Sequence, residues 1–496
     1  MKKRIVKFVS FSLILVASLI FVGCGKSKDN LEEIGSEFTN YYIDLEYNNV
    51  TKNAVASCEI DYCNLSESML KEVKLHLYIA SFCKTASASV IDKTNYTNCF
   101  YNGESYASLN IARVMLNGED INPSYENEDN DIMVVNLNSS LYPSERVNIK
   151  IEYSFSLPNC NHRFGYGENT INFGNFYPIA CVYDSGWKTD SYVATGDPFC
   201  SDMANYYVNL AIEDNLRLAT TGMVKNSTTD SGVNYYNIEA KCVRDYAFVL
   251  SEKFNLAEKE YKGVNVQYFY TDDDNAGKVV DCGVDAIRTF SDLFYDYPYS
   301  TYTIVQADFC YGGMEYPTMS VISNSIENID DYLNVVVHET AHQWWYNLVG
   351  NDQFNESWLD ESLTEFSAML FYDENEGYAF NHEDMIDAVH ENFLLYKNTY
   401  ENVLGTLDTS MNRAIDEFDT EPEYTFTIYV KGALMYDSLY HLVGEKKFVK
   451  SLQLYAEQNA YKIAKGENLI ASFETCCKTD LEDFFDCWLT GKVIIN

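Results

Sequence analysis

The chain has 496 residues and carries 74 Asp and Glu against 35 Lys and Arg, a formal net charge of −39. So acidic a surface repels phosphate backbones and anionic headgroups, which excludes nucleic-acid binding and electrostatic membrane docking, whether it attracts cationic partners or serves only solubility. The length exceeds one ordinary domain, and a hydrophobic content of 47% can fill two or three cores.

Residues 1–24 read as an export signal. Lys2, Lys3, Arg4 and Lys7 form a charged start, Phe8 to Val22 is nearly all apolar, and the chain turns polar at Gly25-Lys26-Ser27-Lys28. Phe21-Val22-Gly23-Cys24 resembles a bacterial lipobox, which implies acylation of Cys24 and a domain held on the extracytoplasmic face of the cell membrane; a retained apolar anchor is the alternative. Acyl chains suffice for such a tether, since each buried methylene adds about 0.8 kcal/mol. Cleavage would remove four cations and no acids, leaving 31 against 74, or −43. The 14 cysteines form no C-x-x-C pairs and become odd in number once Cys24 is acylated. Mostly reduced, buried thiols are expected.

Residues 25–40 are polar and read as a tether. From 41 to 255, short alternating runs such as Val147-Asn148-Ile149-Lys150-Ile151-Glu152-Tyr153 are broken by Asn, Asp and Gly, the pattern of a β-rich domain. The 41 tyrosines suit strand surfaces and cleft walls. Near residue 256 the texture changes. Asp281 to Tyr295 predicts an amphipathic helix and Thr301 to Phe309 a strand, with Met319 to Ser323 pairing back after a glycine turn.

Asp330 to Leu348 then predicts a helix, capped by Asp330 or Asp331 and ending by Gly350. It contains His338-Glu339-Thr340-Ala341-His342, an H-E-x-x-H pattern. Residues four apart stack on one helix face, so both imidazoles can hold one tetrahedral zinc. Glu339 falls about 100° around from His338, where a carboxylate can take a proton without binding the metal. Glu356 to Ser367 predicts a second, antiparallel helix carrying Glu361, nineteen residues after His342. From about 376 helices dominate: Glu383 to Tyr400, Thr427 to Val443, Lys446 to Ala460 and Leu481 to Leu489.

H-E-x-x-H followed by Glu361 within W-L-D-E resembles the aminopeptidase N family, peptidase family M1, and His342 to Gly350 is similar to that family's H-Q-W-F-G-N-L-V run. Gly312-Gly313-Met314-Glu315 resembles its G-A-M-E-N segment, with Gly313 in place of Ala and Tyr316 in place of Asn. Tyr429-Val430-Lys431-Gly432 resembles its Y-x-K-G segment. The likeness covers roughly residues 160 to 490.

The resemblance implies an α+β multidomain fold. A saddle-like β domain (41–255) would wall a cleft beside a thermolysin-like catalytic domain (256–496). It implies one Zn2+ per chain on His338, His342 and Glu361, with Glu339 as general base and Tyr429 as hydrogen-bond donor to the oxyanion. Gly312, Gly313, Met314 and Glu315 would bind the substrate, Glu315 through the free α-amine of a peptide. The family's second amine-binding residue, from the β domain, has no counterpart visible in the sequence. Glu365 reads equally as a partner of a zinc ligand or as a solvated carboxylate; Lys431 reads as packing or as orienting the Tyr429 turn. A zinc aminopeptidase is the leading expectation. A metallo-endopeptidase of the same fold and a catalytically silent peptide-binding lipoprotein are the alternatives.

Overall fold

Strict alternation builds the first half of the molecule. In Arg146–Ser156 every second residue from Val147 to Phe155 is buried; in Thr39–Asn48, Tyr41, Ile43, Leu45 and Tyr47 point inward while Asp44 and Glu46 face out. The computed structural model describes residues 29–495, so Cys24 and the expected export signal lie outside the described residues. Eight strands form one sheet in the order Met223–Asp230, Val233–Val243, Ala204–Glu213, Thr39–Asn48, Asn53–Cys63, Arg146–Ser156, Ser108–Leu116 and Glu119–Ile121. All neighbours are antiparallel except Thr39–Asn48 beside Ala204–Glu213. Two four-stranded sheets share its core.

Tyrosine fills this core as well as the surface. Tyr41 stacks on its cross-strand partner Tyr206 with centroids 4.8 Å apart, and the Tyr177 hydroxyl donates to Asp245 Oδ1 at 2.7 Å. A ring with a satisfied hydroxyl buries a large area without leaving a polar orphan. The stretch expected as a tether is helical over Leu31–Ile34 and Gly35–Glu37, and the first strand begins at Thr39. Asp29 accepts from the hydroxyls of Tyr295 and Tyr461 at 2.8 and 2.7 Å, which docks this stretch on the second half of the chain.

That second half opens with a five-stranded mixed sheet, ordered Asn255–Tyr261, Val264–Tyr270, Thr301–Ala307, Met319–Ser323, Gly313–Met314. The short Gly313–Met314 strand is an edge, antiparallel to Met319–Ser323. Helix Ala276–Leu293 starts five residues before the expected Asp281, because Ala276, Val279 and Val280 extend its buried face. Glu361–Glu374, His382–Val403, Lys431–Val443, Glu445–Asn459, Gly466–Cys477 and Glu482–Leu489 complete the helical part. Gly466–Cys477 was not foreseen; its start, Gly466-Glu467-Asn468, offers no apolar residue to announce a helix face.

The helix carrying the two histidines differs from expectation at both ends. Asn328 is its cap, accepting from the amides of Asp330 and Asp331 at 2.8 and 3.4 Å, and it runs only from Ile329 to Ala341. His342 terminates it, eight residues short of Gly350. Beyond that point the chain turns sharply, with Tyr346 at φ 141°. The carbonyls of this turn are served by a buried cation from the β-rich half. Arg244 Nε donates to Tyr346 O and Asn347 O at 2.7 and 3.0 Å, and Nη2 to Leu348 O and Lys462 O at 3.5 and 2.5 Å. A Cβ on Gly350 would run into the guanidinium. Arg244→Met should therefore lower stability by about 3 kcal/mol or more, since several buried carbonyls lose their donor at once. Chemical unfolding followed by tryptophan fluorescence checks this; a loss under 1 kcal/mol would mean the turn holds itself.

Candidate active site

Stopping the helix at His342 keeps both imidazoles on one face while the chain turns away. Each ring is fixed through its outer nitrogen. His338 Nδ1 lies 3.0 Å from Glu365 Oε2; His342 Nδ1 lies 2.9 Å from Trp345 O and 3.2 Å from Thr364 Oγ1. With Nδ1–H donating outward, both Nε2 lone pairs turn inward. Glu361, the first residue of its helix, completes a triangle: Nε2 to Nε2 is 3.2 Å, and Glu361 Oε2 lies 3.4 Å from His338 Nε2 and 3.2 Å from His342 Nε2.

These separations test the fit to zinc. Bonds of about 2.0–2.1 Å in a tetrahedron set ligand atoms about 3.3–3.4 Å apart, so the three atoms stand where such a metal needs them. Glu361 Oε2 is moreover buried without a hydrogen-bond donor. Burial pulls the His338 pKa down, but Glu361 and Glu365 outweigh it and hold it up at about 10. Of the two readings of Glu365, its 3.0 Å contact with His338 Nδ1 favours a partner of that histidine over a solvated carboxylate.

Glu339 is buried beside the triangle and its Oε2 has no partner. Its carboxylate packs on the edge strand so closely that a Cβ on Gly313 would run into Oε1, a local reason for glycine at 313. Tyr316 reaches the β-rich half, where a Cβ on Gly174 would run into its hydroxyl. Gln343 ties the loop after the edge strand to the turn that follows the helix of His338. Its Oε1 accepts from Thr318 N at 2.7 Å and its Nε2 donates to Tyr316 O at 3.2 Å.

Glu315 follows the edge strand and is 3% exposed. One donor meets it: Gln353 Nε2, at 3.0 Å, which also donates to Asp360 Oδ2 at 2.8 Å. Burial pushes the Glu315 carboxyl well above the carboxylate range, and Asp197 adds to the shift. Asp197 comes from the β-rich half. Asp197, Glu315 and Glu361 each offer an oxygen within 4.8 Å of the others, and Arg163 Nη1 pairs with Asp197 Oδ1 at 2.8 Å. Sequence reasoning missed Asp197, and only the acid in Gly196-Asp197-Pro198-Phe199, ahead of a rigid proline, could have hinted at it.

Tyr429 sits in a π-helical turn, Phe426–Val430, and lies nearly parallel to the His338 ring with centroids 6.0 Å apart. Such turns re-aim one side chain within a helix. Its neighbours explain the rest of the motif. Gly432 lets this helix approach the Glu361 helix, since a Cβ would run into Ser362 Oγ, and that hydroxyl donates to Ile428 O at 2.5 Å. Lys431 is buried and donates to Thr409 O and Trp488 O at 2.5 and 2.8 Å, so it anchors the turn. Gly312, Gly313, Glu315, His338, Glu339, His342, Glu361 and Tyr429 all line one cavity of about 290 Å³; Met314, on the same edge strand, is buried behind it.

Residues 279–488 match the model of the Peptidase family M1 domain. Aminopeptidase B of Rattus norvegicus is 29% identical over 197 residues, covering 37% of this chain and 29% of that protein. Leucine aminopeptidase 2 of Aspergillus niger is 31% identical over 220 residues, covering 42% and 33%. The match to aminopeptidase N of Lactococcus lactis covers 42% of this chain and 26% of the relative, at 26% identity. The chain thus spans about a third or less of these relatives' length. The fold compares with the crystal structure of an M1 zinc metallopeptidase from Deinococcus radiodurans at a TM-score of 0.65 and 15% identity, over 92% of this chain and 93% of that one. A mutant of the Deinococcus protein bound to a Tyr-Ser-Ala substrate gives 0.65 at 14% identity, over 93% and 96%.

If Glu365 orients His338 towards a metal, Glu365→Gln should raise the zinc Kd about 10- to 100-fold, measured by competition with a chelator. Affinity should also fall with acid, because the metal must displace the proton that Glu361 and Glu365 hold on His338. An unchanged Kd would make Glu365 a surface carboxylate after all.

Proposed function

Because residues 279–488 belong to peptidase family M1, we propose that this protein is a zinc aminopeptidase that removes the first residue from peptides with a free N-terminus. The observation that carries the exopeptidase reading is the pair of carboxylates, Glu315 and Asp197, closing the cavity beside the ligand triangle. Among the described residues Glu315 has one neutral donor and no Lys or Arg partner. A peptide's ammonium supplies a cation, whereas the interior of a longer chain offers none.

His338, His342 and Glu361 would hold one zinc, which when bound supplies the Lewis acidity that makes water nucleophilic near neutral pH and polarises the scissile carbonyl. Glu339 takes the proton of the attacking water and passes it to the leaving amine. Its unpartnered Oε2 leaves it free for both transfers. Tyr429 donates its hydroxyl to the oxyanion as charge develops there, and burial keeps that hydroxyl protonated by raising its pKa well above the ordinary value. Residues 312–315 present an edge along which an extended peptide can lie.

The β-rich part, 41–255, contributes Asp197 and walls the cleft, while 256–496 supplies the metal ligands. On the lipobox-like run ending at Cys24, we further propose that the enzyme is exported and lipid-anchored on the outer face of a bacterial membrane. The complete set of Glu339, Tyr429 and ligands speaks against a silent binding protein.

Glu315→Gln should lower kcat/KM on an aminoacyl anilide about ten- to a hundredfold, the worth of a charge-assisted hydrogen bond, and should hardly affect the slow cleavage of an N-acetylated peptide. Equal losses on both substrates would favour an endopeptidase. Glu339→Gln should keep its zinc and lose about 10²–10⁴ in kcat. Tyr429→Phe should lower kcat with little change in KM; a change confined to KM would remove the oxyanion role.

A further inference from the structure

One carboxylate in the cavity wall has no part in the reaction just described. Glu421, Thr425 and Tyr429 stand four residues apart through Glu421–Thr425 and the π-helical turn, and all three line the cavity. Tyr429 faces the ligand histidines. Glu421 lies two turns away along the same face, where its Oε2 is cut off from solvent and has no hydrogen-bond partner.

A buried carboxylate oxygen without a donor is costly unless something arrives to pair it. Among the described residues none supplies a hydrogen bond to Oε2. The backbone amide of Gly196 serves the Glu421 carboxyl, yet burial, with Asp92, Asp197 and Glu361 nearby, still pushes it up to about 8. Among the described residues Arg163 is the one cationic side chain of Lys or Arg type in the cavity lining, and it is already committed: it pairs with Asp197 at 2.8 Å and lies 4.9 Å from the Phe199 ring centroid. Everything else ionisable in the lining is acidic or belongs to the ligand set and Tyr residues: Glu315, Glu339, Glu361, Glu365 and Asp197 besides Glu421.

We infer that Glu421 selects the side chain of the substrate's first residue, and that this residue is cationic, arginine or lysine. The inference rests on the aminopeptidase reading and deepens it. The α-ammonium goes to Glu315 and Asp197, the scissile bond to the ligand triangle, and the side chain of the first residue runs along the wall to Glu421. A guanidinium presents several N–H donors, enough to meet an orphan oxygen squarely, while a lysine ammonium meets it as a point charge. A neutral first residue leaves Oε2 as it is. The overall charge of −39 draws cationic peptides towards the cleft from a distance.

The experiment is a panel of arginyl, lysyl, leucyl, methionyl and glutamyl anilides with the full-length enzyme and Glu421→Gln. Wild type should prefer arginyl and lysyl substrates, and Glu421→Gln should lower the arginyl-to-leucyl ratio of kcat/KM about ten- to a hundredfold. A wild type that prefers leucyl or methionyl anilides overturns the assignment while leaving the aminopeptidase intact; this arm needs no variant to fold. Equal losses on every substrate in Glu421→Gln place the residue in the framework and also overturn it. No hydrolysis of any free-amine anilide, with N-acetylated peptides cleaved, would sink the aminopeptidase reading and this one together.

Discussion

The guanidinium of Arg244 gathers the carbonyls of Tyr346, Asn347, Leu348 and Lys462 at a single buried point. A turn buried inside a protein leaves acceptors that water cannot reach, and they must be met from elsewhere. Meeting them with a residue of the β-rich half holds the turn that follows His342. It also binds together the three parts of the molecule that the site requires: the β-rich sheets, the ligand helix and the C-terminal helices. Trp344 and Trp345 lie within the same turn and bond in different directions, to Tyr295 O at 2.6 Å and to Ser367 Oγ at 3.0 Å. The indole of Trp345 thereby reaches the helix that begins with Glu361.

From that fixed turn, a chain of neutral groups carries geometry to the acids. Gln343 holds the loop after Glu315, Gln353 bridges Glu315 to Asp360, and Asn351 donates to Asp360 at 3.0 Å. Amides can hold carboxylates in place without neutralising them. The cavity lining therefore holds more acidic than basic side chains, and under the proposed function the cations that complete it come from outside: a metal among His338, His342 and Glu361, and an ammonium at Glu315. Burial raises the proton affinity of Glu315, Asp197 and Asp360 because the charged form is poorly solvated, whereas at Glu361 the pull of His342 and His338 outweighs burial and holds the carboxyl below the usual range.

The same logic explains why glycine stands where it does. At 313 a side chain would displace Glu339; at 432 it would displace Ser362, whose hydroxyl holds the π-helical turn under Tyr429; at 350 it would displace Arg244. All three are places where a functional or anchoring side chain lies directly on backbone, so the absence of a Cβ is a requirement of packing and not of backbone freedom.

Sequence alone determined what is local. The four-residue spacing of His338 and His342, the position of Glu339 one step on, and the recurrence that puts Glu361 on a second helix all follow from helix periodicity, and alternation over residues such as 147–153 marks the β-rich half. Tertiary structure alone decided what depends on distant partners. The turn after His342 is held because Arg244, almost a hundred residues earlier, serves the carbonyls of Tyr346, Asn347 and Leu348; nothing between Asp330 and Gly350 records that. Asp197 and Glu421 lie far from the H-E-x-x-H stretch in sequence and carry no periodic signal, yet they face the same cavity. Glu365 had two readings until the fold set His338 against it. Periodicity reports which face of an element is buried, but not which charge on another element that face will meet, and the cleft is made of such meetings.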